Sequence, residues 1–426
     1  MPKKLIFHII IVGMALGTAW AIRGQFGHEH GAAWAGGIGV LAILSLSRRA
    51  DWFKRMPAIA ALGAIGWGVG GMMSYGMVVG YGRGTDFGNV YYGLLMLFVI
   101  GALYGFIGGG AFGLALESSE QKKPKWASLI TQMVAGGYLL WGILIYQLEW
   151  HMTPPRSELW AACLGAAFAL GWYLYRNNFH HALRVALFSA LGAGFGFAFG
   201  NFLQVMGNTT GMAFNWWNVM EYSLGFFGGA GMAYAVFSRQ WPTSVAPDKW
   251  ANLLGFVFLT LFLPITNVVQ AFDMERMINM TENAGVSQPE TFAPQLFWGS
   301  MLLCVLYFIV IFVIYRKKAG AAFSADYALT NGFLFSYLIL YIILSNLITG
   351  IFFGIHHPNQ YLYWVNLAVI MLYIRLNKQE VMDYEVHPEQ WKTWGRLIGS
   401  VFIILALLAL IAINSHGEMP GAQVRF

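Results

Sequence analysis

The chain has 426 residues, of which 58% are hydrophobic and only 10% charged, with a net charge of +6. That usage excludes an ordinary soluble domain. The positive charge does not indicate nucleic acid, because most of it lies in short connections between apolar runs, where it suits an anionic membrane surface.

Thirteen apolar segments are predicted to cross a bilayer, at 5–22, 31–47, 57–80, 90–116, 125–148, 159–175, 180–206, 218–237, 250–270, 294–315, 329–352, 360–376 and 394–413. A bilayer core takes roughly 20 apolar residues per helix. The expected fold is therefore an all-α, polytopic integral membrane protein with one transmembrane domain over residues 1–426. Lys3 and Lys4 before an apolar run resemble a signal sequence, but the run leads straight into further spans and is expected to stay as the first helix.

Basic residues crowd every second connection. Lys3, Lys4, Arg48, Arg49, Lys54, Arg55, Lys122, Lys123, Lys125, Arg176, Arg184, Arg239, Lys249, Arg316, Lys317, Lys318, Arg375, Lys378, Lys392 and Arg396 lie on one side, which is 20 of the 25 Lys and Arg residues. The 19 acidic residues divide 9 to 10. Because Lys and Arg set orientation, the basic side and the N-terminus are expected in the cytoplasm and the C-terminus outside.

Taken in chain order, the first outer connection carries the densest cluster, Arg23-Gly-Gln25-Phe-Gly-His28-Glu29-His30. In an extended stretch His28 and His30 would point the same way; in a helix they would diverge by about 200°. The readings are a proton-coupling or substrate-binding cluster, a metal site, or a solvated loop with Glu29 paired to Arg23. Tyr75, Tyr81, Arg83 and Asp86, with Gly80, Gly82 and Gly84, suggest a tight re-entrant turn.

Asn201, Gln204, Asn208, Asn215, Trp216, Trp217 and Glu221 form the next group. Paired tryptophans at a membrane edge serve as interfacial anchors, yet aromatic faces beside amides also suit a sugar ring. Glu221 lies about one turn inside a span, where an acid is costly and commonly kept for ion or substrate handling. A helix-first-turn carboxylate is its plainer reading. Asn267 and Gln270 follow Pro264, which would free backbone carbonyls near them. Residues 271–293 could form a small outer cap. Asn346, Thr349, His356, His357, Asn359, Gln360 and Tyr361 close the series, and residues 377–394 suit a short inner surface helix.

The 51 glycines fit close helix packing. Ala61-Leu62-Gly63-Ala64 and Ala190-Leu191-Gly192-Ala193 open similar glycine-rich spans, and Asn201-x-x-Gln204 partly recurs as Asn267-x-x-Gln270. Tandem two-helix hairpins are expected, with repeat units 57–116, 180–237, 250–315 and 329–376. Cys163 and Cys304 fall inside apolar segments, without metal-site spacing, and are read as small buried hydrophobes. No cofactor and no metal is expected.

These features predict a secondary transporter of a small polar solute, sugar or sugar-acid-like, in a bacterial inner membrane. Its outward-facing pocket would be lined by Arg23, Asn201, Gln204, Trp216, Trp217, Glu221, Asn267, Gln270, Asn346 and His356. The alternative is a membrane-embedded transferase, glycosyl or acyl, acting on a lipid-linked or surface glycan, with His28, Glu29 and His30 as the catalytic group. A third reading is a non-catalytic assembly subunit. The expected partners are the solute or lipid-linked glycan and the bilayer, not nucleic acid; the sequence carries no signal of oligomeric state.

Overall fold

A computed structural model of the chain describes residues 3–377 and 389–426, so most of the surface helix expected over 377–394 lies outside the described residues. Every regular element among them is helical. The α-helices are α1 (Lys3–Arg23), α2 (Glu29–Ser47), α3 (Ala50–Phe53), α4 (Met56–Gly71), α5 (Gly76–Tyr81), α6 (Phe87–Glu117), α7 (Trp126–Trp141), α8 (Ser157–Arg176), α9 (His180–Thr209) and α10 (Trp216–Phe237). They continue with α11 (Lys249–Val257), α12 (Leu263–Ala271), α13 (Met274–Asn283), α14 (Pro289–Ala319), α15 (Tyr327–Ile348), α16 (Pro358–Leu376) and α17 (Trp391–Ile413). A π-helical turn, Gly142–Gln147, extends α7, and another, Phe258–Phe262, joins α11 to α12.

Among the described residues, nine helices are long and apolar enough to cross a membrane: α1, α2, α6, α7 with its π turn, α9, α11 through α12, α14, α15 and α17. The other four expected segments are helical too. However, α4 is short, and α8, α10 and α16 carry more polar side chains. This architecture is compatible with a multi-pass membrane protein.

The segment expected as one span over 57–80 is broken. α4 stops at Gly71 and α5 begins at Gly76. Two successive glycines hold a helix weakly. The backbone freed by the break is satisfied by buried side chains, as non-helical backbone at membrane depth requires. Arg23 Nη2 donates to Gly71 O at 3.4 Å, and Tyr104 Oη donates to Met73 O at 3.2 Å. Pro264 does not kink a regular helix; it sits in the first turn of α12, just after the π turn.

Six helices pack side by side into a closed ring in the order α1, α2, α4, α6, α9, α10 and back to α1. Glycine permits this. A Cβ on Gly105 would lie 2.2 Å from Ser189 O, one on Gly192 2.1 Å from Phe227 O, and one on Gly225 2.7 Å from Leu16 O. The backbones are therefore in direct contact, held by dispersion and weak polar contacts. The ring's axis is filled. Trp67 is cradled by glycines from three neighbours: Cβ atoms on Gly36, Gly108 and Gly228 would lie 2.4, 2.6 and 3.1 Å from its side chain. Trp20 meets Trp67 edge-on at 5.1 Å and Tyr104 at 5.5 Å.

The remaining helices surround the ring. Trp34 of α2 stacks on Tyr337 and Tyr341 of α15 at 5.0 and 4.4 Å. The basic connections meet on one face: Arg49 donates to Trp241 O, Asn252 to Lys54 O, and Arg184 pairs with Glu389 at 2.6 Å. The alternate connections meet on the other, where Arg276 of α13 donates to Gln25 Oε1 at 2.7 Å and Ser74 to Thr153 O at 3.0 Å.

Candidate functional site

Arg23 is the last residue of α1 and Glu221 lies on the second turn of α10. Each is 1% exposed. They are level because α1 and α10 touch through Gly17 and Gly225, whose Cβ atoms would meet the opposing backbone. Tyr75, in the break between α4 and α5, comes between them. Arg23 Nη1 donates to Tyr75 Oη at 2.5 Å, and Tyr75 Oη donates to Glu221 Oε1 at 2.5 Å. The guanidinium and the carboxylate are 3.6 Å apart. Trp217 Nε1 is a second hydrogen-bond donor to Glu221 Oε1 at 3.2 Å, and its ring stacks on Tyr75 with the planes 25° apart.

Buried Arg23 and Tyr75 and half-buried Trp217 therefore converge on one carboxylate oxygen, while Glu221 Oε2 has no partner among the described residues. Removing either charge would leave the other uncompensated in a medium that penalises it heavily.

His28, at the start of α2, borders the cluster. Its carbonyl accepts from Arg23 Nε and Nη2, both at 3.3 Å, and its ring meets Tyr75 edge-on at 5.7 Å. Burial, then the positive charges of Arg23 and Arg156, push the imidazole down to about 4, so the neutral ring is the folded form at neutral pH.

The two histidines do not share a target. Gly27 takes φ +83° and the helix begins directly after His28, so His30 turns away and its Nδ1 meets Gln270 Oε1 at 2.7 Å. The arrangement in which His28 and His30 point the same way is thus not formed. Arg23 pairs with Glu221 rather than with Glu29. Among the described residues no three His, Cys, Asp or Glu side chains are placed to share a metal ion.

Asn201 and Gln204 form a buried pair beside α5: Asn201 Nδ2 donates to Val79 O at 3.4 Å and to Gln204 Oε1 at 3.2 Å. With both amide hydrogens committed, Asn201 Oδ1 is a buried acceptor without a partner among the described residues. Other expected residues stand apart. Trp216 packs over Gly207. Asn267 bonds back to Leu263 O at 2.8 Å. Asn346 is buried on α15, where the neighbouring Ser345 donates to Gln360. His356 is exposed, and its Nδ1 hydrogen-bonds Tyr361 Oη at 2.9 Å.

Sequence reasoning passed over Asn218, Tyr363 and Tyr104. Asn218 Nδ2 donates to Ala21 O at 2.9 Å and to Tyr363 Oη at 2.5 Å, fastening α10 to α1 and α16 one turn from Glu221. The three-residue spacing of Asn218 and Glu221 within an apolar helix was the available signal.

Neither a family model, nor a curated protein, nor a solved structure matches this chain.

Proposed function

We propose that this chain is a secondary transporter of a small polar solute, of sugar or sugar-acid type, working by alternating access. In this reading it has thirteen spans, with the N-terminus and basic face in the cytoplasm and the C-terminus outside. The supporting observation is the Arg23–Tyr75–Glu221 cluster, sealed among membrane helices with one carboxylate oxygen unpartnered. Ionisable groups at that depth are costly and mark solute or proton paths.

Arg23 is the group for a substrate anion and Glu221 the group that exchanges a proton. Among the described residues, buried polar atoms of both kinds lack a partner: Glu221 Oε2 and Asn201 Oδ1 accept, while Trp20 Nε1 and Trp67 Nε1 donate. A hydroxyl-rich solute supplies both donors and acceptors, and the Tyr75 and Trp217 rings offer flat faces to a pyranose.

The test is uptake of a panel of labelled sugars and sugar acids into proteoliposomes. Entry of one member that is lost in Glu221→Gln, at a temperature below the variant's own cooperative melting transition, supports the reading. If no solute enters, the reading fails.

One observation favours a second reading, an outer-face transferase on a lipid-linked glycan. The ring below the cluster is plugged by Trp20, Trp67 and Tyr104 and zipped by backbone contacts, which leaves access from one side. Modification of a purified glycolipid that disappears in His28→Ala would establish it.

A further inference from the structure

The α7–α8 hairpin stands off from the ring. Its two helices are zipped to each other, since a Cβ on Gly165 would lie 2.0 Å from Gly136 O. A separate small core including Leu114, Leu129, Leu170 and Leu174 anchors the hairpin at its basic end. Above that anchor, the surfaces facing α4 and α6 are lined by small or flexible apolar residues, among them Gly66, Val69, Ala111, Met133, Ala162 and Ala166. They leave a groove of about 570 Å³ that runs from Trp126 to Met72 and Trp141.

Protein interiors do not hold apolar voids of this size, because the lining atoms lose their dispersion partners. Along α7 the wall is about 22 Å long at 1.5 Å per residue. One leaflet of hydrocarbon is about 15 Å, half of a bilayer core. The groove is thus long enough for a single extended acyl chain.

Charge at one end indicates which lipid. Lys123, Lys125 and Arg176 are exposed beside Trp126 and the end of α8, while Glu117 is held by Lys122 at 2.9 Å. Lys123 and Glu120 form a pair in which both side chains are more than half exposed, so that lysine stays available to a ligand. Trp172 and Tyr175, also exposed, mark the same level as an interface.

We propose that this groove is a binding site for one anionic phospholipid, with an acyl chain between α4, α6, α7 and α8 and the phosphate at Lys123 and Lys125. The site is independent of the Arg23–Glu221 cluster and of whether that cluster transports or catalyses.

The experiment is native mass spectrometry of the full chain after reconstitution with equimolar phosphatidylglycerol and phosphatidylcholine. One retained phosphatidylglycerol per chain is expected, preferred over phosphatidylcholine by roughly fivefold for each lysine that contacts it. Lys123→Glu with Lys125→Glu should abolish the preference while a chain is still retained. Ala166→Phe fills the groove and should abolish retention. Val134→Trp on the exposed rim is the second variant should Ala166→Phe not fold. No retained lipid, equal retention of the two headgroups by the native chain, or undiminished retention in the filled groove would each overturn the proposal.

Discussion

Tyr75 hydrogen-bonds Arg23 and Glu221 at once, each at 2.5 Å, so a single phenol joins a buried cation to a buried anion that lie 3.6 Å apart. Tyr75→Phe keeps the ring between Phe197 and Trp217 and removes only the hydroxyl. A hydrogen bond to a charged group contributes about 1.5–3 kcal/mol, and a loss of that order is expected. Arg23→Gln and Glu221→Gln should each cost more, about 3–5 kcal/mol, because each strands a charge. The double variant should be milder than the sum of the singles. Denaturant unfolding in detergent of the native protein, the two single charge variants and the double variant measures this coupling, and strict additivity would mean that Arg23 and Glu221 do not act as a pair.

Trp67 provides a separate test of the ring. A Cβ on Gly36 would lie 2.4 Å from Trp67 Cβ, a fixed atom close to the backbone, so the ring cannot swing aside to accommodate it. Gly36→Ala should destabilise by about 1–3 kcal/mol or more through overpacking. Gly299→Ala, where a Cβ meets nothing within 4 Å, should be neutral or slightly stabilising because it favours the helix. Equal melting temperatures for the two variants would contradict the cradle.

Much of this site could be read from sequence, residue by residue. Arg23 and Glu221 stand out as charges at the ends of apolar runs, and the glycine spacing announces close helix packing. Their pairing could not be read. The two residues are 198 positions apart, and they are level only because α1 and α10 meet backbone to backbone at Gly17 and Gly225. Tyr75 was visible only as part of a polar group at a turn. Its position depends on the helix ending at Gly71, whereas apolar composition alone carries the span on to residue 80. His28 and His30 were ambiguous for a local reason. Whether they align or diverge is decided by the positive φ at Gly27, which starts the helix directly after His28.

That start also sets the pH response of the α1–α2 loop. The folded loop holds His28 neutral with its affinity for protons lowered from 6.5 to about 4, so between those values the unfolded chain binds the proton and the folded chain does not. Stability therefore rises with pH through this window and is lost as pH falls through it. In His28→Gln this component should vanish, so the difference in melting temperature between native and variant proteins should change from pH 7 to pH 4. Ring NMR of His28 should titrate near 4. Titration at 6.5 would mean that the imidazole is solvated and does not face Arg23.

The C-terminal residues lie against α5 and the start of α6. Gln423 N donates to Gly80 O at 3.0 Å, Asn89 Nδ2 donates to Gln423 O at 2.9 Å, and Arg425 N donates to Asn89 Oδ1 at 2.7 Å. Asn89 thus bridges two backbone groups of the tail, while Phe426 meets Tyr92 edge-on at 5.3 Å. Asn89→Ala deletes both bonds to the tail, together with the Nδ2 bond to Tyr81 O at 3.3 Å, and should loosen the tail while leaving the α6 cap at Asp86 in place. Both native cysteines are buried, so nitroxide labels at Val424→Cys and Met212→Cys, two exposed positions, can be introduced selectively. Their electron–electron distance distribution should be narrow in the native background and broad in Asn89→Ala. If the tail covers the approach to Asn201 and Gln204, the same variant should also speed solute entry in proteoliposomes. A narrow distribution in both proteins would show that Gly80 and Tyr92 hold the tail without Asn89.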